Sequence, residues 1–129
     1  VPDRNEWCFQ TGGWHETHMP RNLYYMHEEI KDGSLLVIDS TGTDQDFSLE
    51  VNVNLSNLTI VDGDFVFITA KGVDNFYAIG SSKSVINAPV KNAYVYDSSL
   101  VNFNNNIDYL EVISSKDELL RAQQRQRRR

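Results

Sequence analysis

The residues best suited to metal chemistry are the three histidines in the first third of the chain, His15, His18 and His27. A zinc-protease helix places two histidines four residues apart with a glutamate beside the first. His15 is followed by Glu16, but His18 comes after three residues, in a stretch flanked by glycine and proline. Scattered histidines are more often solvated or bonded to the backbone than metal-bound. The sequence therefore predicts no cofactor, and these histidines with Glu28 are the weak candidates for a metal.

Nucleophilic catalysis has no recognisable motif in this chain. There is no G-x-S-x-G sequence, and nothing around Cys8 indicates a lowered thiol pKa. A single cysteine excludes a disulfide within the chain and leaves two alternatives. Cys8 is either a buried reduced thiol or the partner of a cysteine in another chain. We therefore predict a protein that is not an enzyme.

Two neighbouring asparagines have the spacing of N-glycosylation acceptors. Asn54-Leu55-Ser56 and Asn57-Leu58-Thr59 both match the N-x-[ST] pattern. Asn54 also falls on the polar side of an alternating segment, where an attached sugar would point into water. In a chain rich in asparagine such acceptors also arise by chance, so glycosylation of Asn54 and Asn57 is a hypothesis about compartment.

The C-terminus contains a cluster of arginines. Arg125, Arg127 and Arg128 resemble the R-x-[K/R]-R pattern that furin-type secretory convertases recognise, and this resemblance implies a proteolytic processing site. The pattern implies cleavage after Arg128, although the chain continues to Arg129. The alternative is a solvated basic tail, residues 121–129, that binds nucleic acid or the acidic remainder of the chain.

The net charge of −6 conceals an uneven distribution. Residues 1–120 contain all 18 acidic residues and seven basic ones, whereas Arg121–Arg129 contains five arginines and no acid. A body with a formal charge of −11 is a poor surface for nucleic acid, so any nucleic-acid binding would have to use the tail.

The clearest structural signal is the segment Phe47–Leu55, which reads FSLEVNVNL. Apolar and polar residues alternate through it without interruption, which predicts a strand with one buried and one solvated face. Short β-rich runs separated by Asp, Gly, Asn and Ser follow it as far as Ile113. At Asp32-Gly33 the sequence favours a hairpin turn, with a short helix over 22–31 as the competitor.

These patterns predict an all-β fold, mostly an antiparallel sandwich or jelly roll, with a β-solenoid as the alternative. Residues 85–112 resemble the rungs of bacterial and phage parallel β-helices, but no constant rung length is apparent. The predicted organisation is an aromatic N-terminal arm over 1–22, a β domain over 23–113, and a C-terminal helix with a basic tail over 114–129. Ser115 and Glu118 have the spacing of a helix capping box.

Together these features predict a non-catalytic surface or interaction subunit. The first hypothesis is the N-terminal fragment of a furin-processed secreted or viral envelope glycoprotein that binds a partner chain, a receptor or a glycan, with Cys8 as a tether. The start at Val1 fits a processed chain or a fragment. The alternatives are a bacterial or phage structural or adhesion protein, and a virion or ribonucleoprotein component that binds nucleic acid through the tail. Tyr94 and Tyr96 are candidates for contact with carbohydrate. The expected location is secreted, at the cell surface or at the virion surface, and no apolar run approaches the roughly 20 residues of a membrane helix.

Overall fold

Ten β-strands run through the part of the chain that the computed structural model describes. The described residues are 6–10, 30–42, 46–63, 65–80, 82–96 and 99–114, with only the backbone described for 7–10. The strands are β1 Glu6–Gln10, β2 Ser34–Asp39, β3 Asp46–Glu50, β4 Asn54–Val61, β5 Phe65–Thr69, β6 Gly72–Ile79, β7 Lys83–Asn87, β8 Val90–Tyr96, β9 Leu100–Phe103 and β10 Ile107–Ile113.

The strands form two parallel sheets. The first sheet has the order β1-β2-β4-β6-β8-β10 and the second β3-β5-β7-β9, so from β2 onwards consecutive strands alternate between the sheets. From β2 onwards each strand pairs with the strand two positions along the chain, and the strand between them makes the return crossing that a parallel pair needs. β1 instead pairs directly with β2. The chain is thus all-β, as predicted, and folds as a β-solenoid. The antiparallel sandwich or jelly roll that the sequence favoured is wrong.

One rung of the solenoid is a first-sheet strand followed by a second-sheet strand. Leu36, Leu58, Phe76, Ala93 and Leu110 occupy one row across the first sheet, at successive separations of 22, 18, 17 and 17 residues. The first separation is larger because β2 and β3 are joined by residues 40–45, whereas the later connections at this corner are shorter. This unequal rung length is why no constant period is visible in the sequence.

The alternating segment Phe47–Leu55 is divided between two strands. β3 ends at Glu50, the chain bends through residues 51–53, and β4 begins at Asn54 in the other sheet. Phe47, Leu49 and Leu55 are buried as the alternation predicts, while Glu50 and Asn54 are exposed. The prediction of the buried face is correct, but the prediction of one continuous strand is wrong.

A single apolar core fills the space between the sheets. First-sheet side chains such as Leu58 and Ile60 are fully buried, as are second-sheet side chains such as Val66 and Ile68. Phe76 of β6 meets Phe103 of β9 edge to face, with ring centroids 5.5 Å apart. Burial of each such side chain stabilises the fold by about 1.5–3 kcal/mol relative to its exposure. The core therefore holds the two sheets together rung by rung.

The Asp32-Gly33 pair forms a turn but not a hairpin. Gly33 has a φ of 85°, which glycine adopts without the steric cost that a side chain would add. The strand that follows, β2, has parallel neighbours on both edges, β1 and β4. No edge of β2 is left for an antiparallel partner from residues 23–31, so the hairpin prediction is wrong.

The corner after the first-sheet strands requires a left-handed backbone in two successive rungs. Asp62 follows β4 with a φ of 51°, and Gly80 follows β6 with a φ of 72°. A Cβ atom added at Gly80 would collide with the carboxylate of Asp62. Glycine at position 80 thus permits both the left-handed conformation and the close approach of the preceding rung.

The outer face of the first sheet carries a small second core. Tyr77 and Tyr94 stack with ring centroids 5.3 Å apart and are buried together with Ile113. Tyr94 is therefore not the exposed tyrosine that the sequence suggested, whereas Tyr96 is half-buried.

The predicted C-terminal helix and basic tail lie outside the described residues. Within the described chain, no helix has the length and apolarity to cross a bilayer.

Candidate functional site

The outer face of the second sheet displays large apolar side chains to solvent. Phe65 and Phe67 of β5 are 46% and 38% exposed, and Leu100 of β9 is 68% exposed. Lys83 and Val85 of β7 lie between these strands, since Lys83 is paired with Leu100 and Val85 with Phe67. We call these five residues the second-sheet patch.

Strand alternation explains why the patch exists. In β5 the inward residues Val66 and Ile68 are fully buried, so Phe65 and Phe67 must point outward. β5 is apolar on both faces, which is typical of a strand covered on both sides, yet its outer face is open. Within the described chain, the inward-facing apolar side chains of β5 are therefore buried and the outward-facing ones are not.

The patch surrounds a positive charge. The Nζ of Lys83 lies 5.7 Å from the centroid of the Phe65 ring, within reach of a cation–π interaction. A shallow depression of about 350 Å³ follows the three strands and is lined by Phe65, Val66, Phe67, Lys83, Ser84, Val85, Leu100, Val101 and Asn102. The described residues of this lining include no carboxylate, histidine or cysteine, and they offer apolar contact, one cation and an amide. These are the groups of a recognition surface.

Acidic and amide side chains form the border of the patch. Asp46, Ser48 and Glu50 are exposed on β3, where Asp46 is paired with Phe65 and Ser48 with Phe67. Asn102 is exposed on the opposite side, in β9. An apolar centre with a polar rim is the usual anatomy of a protein–protein contact.

Asparagine side chains form a hydrogen-bonded ladder along the first sheet. The Nδ2 of Asn75 donates to the Oδ1 of Asn57 at 3.1 Å, and the Nδ2 of Asn92 donates to the Oδ1 of Asn75 at 3.2 Å. The three residues are paired in register in β4, β6 and β8. A second ladder of three residues runs along the second sheet, where Asn104 donates to Asn87 at 2.7 Å and Asn87 donates to Thr69 at 3.3 Å. The stacking of amide side chains that the resemblance to parallel β-helices implies is thus present.

The two predicted glycosylation acceptors have different surroundings. Asn54 is exposed at the first position of β4, and its backbone N–H donates to Asp32 Oδ1 at 2.8 Å. Asn57 is half-buried, and its Oδ1 is the acceptor at one end of the ladder. Glycosylation of either asparagine stays a prediction, and Asn54 is the more accessible of the two.

Asn54 borders a polar groove at the start of the first-sheet strands. The groove has a volume of about 560 Å³ and is lined by Asn54, Lys71, Gly72, Val73, Asp74, Pro89, Val90, Lys91, Asn106 and Asp108. Lys91 and Asp74, on adjacent rungs, form a solvent-exposed ion pair at 3.5 Å. The groove thus carries charges of both signs in neighbouring rungs.

Most of the other predicted site residues lie outside the described residues. This holds for His15, His18 and His27, and for the processing pattern at Arg125, Arg127 and Arg128. Cys8 belongs to β1, where its backbone is in register with Val37 of β2, but its side chain is not described. Among the described residues no group of three or more His, Cys, Asp or Glu side chains is arranged to hold a metal ion.

Sequence reasoning missed the second-sheet patch. The signal was present in β5, which reads FVFIT and has apolar residues on both faces. That Lys83 and Leu100 lie beside it depends on pairing between strands 17–18 residues apart, which no local pattern reveals.

The search for relatives gives no guide to the role of this surface. Comparison with protein-family models, with curated proteins and with solved structures finds no match to the chain.

Proposed function

We propose that this protein is a non-catalytic interaction subunit that binds a protein partner through the second-sheet patch. The observation that carries the proposal is the exposure of Phe65, Phe67 and Leu100 around Lys83 on one flat sheet. Solvent-exposed apolar side chains that lie together lose contact with water when a partner covers them, which favours association. The solenoid serves as the rigid support for this surface.

The composition of the patch favours a protein over a carbohydrate as the partner. Its five residues are two phenylalanines, two aliphatic residues and one lysine, and the aliphatic Leu100 is the most exposed of the apolar ones. A glycan site needs many hydrogen-bonding groups for the sugar hydroxyls, whereas here the polar groups stand at the rim. Lys83 in the centre adds positive charge to this apolar surface, which favours a partner surface with acidic groups.

Of the wider hypotheses, a bacterial or phage structural or adhesion protein is the better supported. A parallel solenoid with amide ladders is the architecture on which that hypothesis rested. Exposure at a cell or virion surface is part of the proposal. The hypothesis of a furin-processed glycoprotein depends on modification of Asn54 or Asn57 and on cleavage near Arg128.

Site-specific photo-crosslinking in the native source tests the patch directly. A benzoylphenylalanine in place of Phe67 should yield a covalent adduct with a second protein, identified by mass spectrometry. The matched control carries the same group in place of Lys71, which is exposed at the corner between β5 and β6 and lines the polar groove of the first sheet, outside the patch and its border. Adducts of equal yield from both positions, or adducts to carbohydrate alone, would refute the proposal.

The mass of the native protein before and after removal of N-glycans separates the two wider hypotheses. An unmodified mass supports the bacterial or phage protein. A loss of sugar that maps to Asn54 would support the secretory glycoprotein, because that side chain is exposed at a strand end.

A further inference from the structure

The last rung within the described residues leaves part of the core exposed. Leu110 and Val112 of β10 are 50% and 63% exposed, although they continue the rows of inward-facing residues. Their register partners in β8, Ala93 and Val95, are 0% and 8% exposed. Two core positions that every earlier rung buries are therefore open to solvent at this end.

The backbone of β10 is open at the same place. β10 is the last strand of the first sheet, and within the described chain it pairs only with β8. In a parallel strand, alternate residues direct their N–H and C=O groups toward each neighbour, so one edge of Ile107–Ile113 presents hydrogen-bonding groups outward. A strand of this length with apolar neighbours is a template for pairing with another chain.

The charges along this edge define the chemistry of what would pair with it. Asp74 and Lys91 form an ion pair between adjacent rungs, and Asp108 is the next residue in that row. β10 also contains Glu111 and has no basic residue. The charges in this row therefore alternate from negative at Asp74 to positive at Lys91 and negative at Asp108. The alternation would continue if an added strand carried a lysine or arginine beside Asp108. A second basic residue of that strand would pair with Glu111 in another row.

We propose that β10 is a strand-addition site for a partner protein. The added segment is extended and parallel to β10, with apolar side chains over Leu110 and Val112 and with basic side chains beside Asp108 and Glu111. This site lies at the end of the stack and is independent of the second-sheet patch. A second copy of this chain fits less well, because its own open strand β10 would bring two carboxylates against two, and like charges at close range repel.

A peptide derived from β8 provides the probe. β8 reads VKNAYVY and occupies the paired edge of β10, opposite to the open edge. In this pairing Val90 lies beside Ile107 and Val95 lies beside Val112. A fluorescein-labelled, end-blocked copy with the substitution Tyr94→Lys carries a lysine for each carboxylate of β10. We expect it to bind the full chain in fluorescence anisotropy and to increase the hydrogen-exchange protection of β10.

Charge reversal then tests the register. The double variant Asp108→Lys, Glu111→Lys should weaken binding of this peptide at least about tenfold, because two attractive contacts become repulsive. A peptide with glutamate in place of both lysines should bind this variant better than it binds the original chain. The control Asp46→Lys, Glu50→Lys changes the net charge equally on exposed positions of β3 and should leave binding unchanged.

Three results of the peptide experiments would overturn the inference, and a fourth would come from the chain alone. The first three are absence of binding, equal weakening by the β3 control, and protection that appears on β5 and β7 in place of β10. Self-association of the original chain in sedimentation equilibrium, abolished by the β10 variant, would identify a second copy as the occupant and would also overturn it. Failure of the photo-crosslinking experiment at Phe67 would leave the β10 result unaffected, so the two proposals fail separately.

Discussion

The asparagine ladder should stabilise the solenoid in proportion to the number of bonds that each member makes. Asn75 is the central member, because it donates to Asn57 at 3.1 Å and accepts from Asn92 at 3.2 Å. The Nδ2 of Asn75 also donates a longer bond to the carbonyl oxygen of Ser56, at 3.4 Å. The substitution Asn75→Ala removes all three bonds and takes the central partner away from the half-buried amides of Asn57 and Asn92. Each such bond contributes about 0.5–1.5 kcal/mol, and an unpaired buried polar group adds to the loss. We therefore expect Asn75→Ala to lower the free energy of unfolding by about 2–3 kcal/mol.

The two terminal members of the ladder, Asn57 and Asn92, provide a comparison for the loss of stability at Asn75. Asn57→Ala removes one amide–amide bond, and Asn92→Ala removes one amide–amide bond together with a long bond to the Asp74 carbonyl at 3.5 Å. Each substitution should lower the free energy of unfolding by about 1 kcal/mol. Asn102→Ala is the control, because Asn102 is exposed on the outer face of the second sheet, and it should lie within about 0.5 kcal/mol of the original chain.

Urea denaturation followed by circular dichroism measures these differences. With a slope of about 1–3 kcal/mol/M, the midpoint for Asn75→Ala should fall by about 1 M or more, without a large change in slope. The reasoning is refuted if Asn75→Ala is no more destabilising than Asn102→Ala. It is also refuted if Asn57→Ala costs as much as Asn75→Ala, because the loss would then not follow the number of bonds.

Three further substitutions test the core, the corner and a buried hydroxyl, each by urea denaturation. Phe76→Ala should lower the free energy of unfolding by about 3–5 kcal/mol, because it leaves a cavity at a fully buried site. Phe65→Ala on the surface should lower it by under about 1 kcal/mol. Equal effects would contradict the assignment of Phe76 to the core and Phe65 to the outer face. Gly80→Ala should lower the free energy of unfolding more than Gly42→Ala does. Both glycines have a positive φ, but only at position 80 would the added Cβ meet a carboxylate. The reverse order would contradict the corner geometry. Ser84→Ala should raise the free energy of unfolding by about 1 kcal/mol, because the buried Ser84 Oγ has no hydrogen-bond partner among the described residues. A clear loss of stability would show that the hydroxyl is satisfied.

The sequence by itself determined which residues are buried along several strands. Strict alternation in residues 47–55 identifies Phe47, Leu49 and Leu55 as inward-facing, because successive side chains of a strand point to opposite faces. Runs of β-branched and aromatic residues between Asp, Gly and Asn likewise indicate an all-β fold. These are local properties, set by backbone geometry over a few residues, and they hold whatever the strands pair with.

Only the tertiary structure decided how the strands pair. A bend at residues 51–53 sends the chain into the other sheet while it leaves the alternation intact, so the pattern of residues 47–55 is the same for one strand or two. The neighbour of each strand lies one rung away, 17–22 residues along the chain, and the first rung differs in length from the rest. The same long-range pairing aligns Asn57 with Asn75 and brings Lys83 between Phe65 and Leu100. The ladder, the patch and the open strand β10 therefore follow from the stacking of rungs, because contacts between rungs depend on register and not on local periodicity.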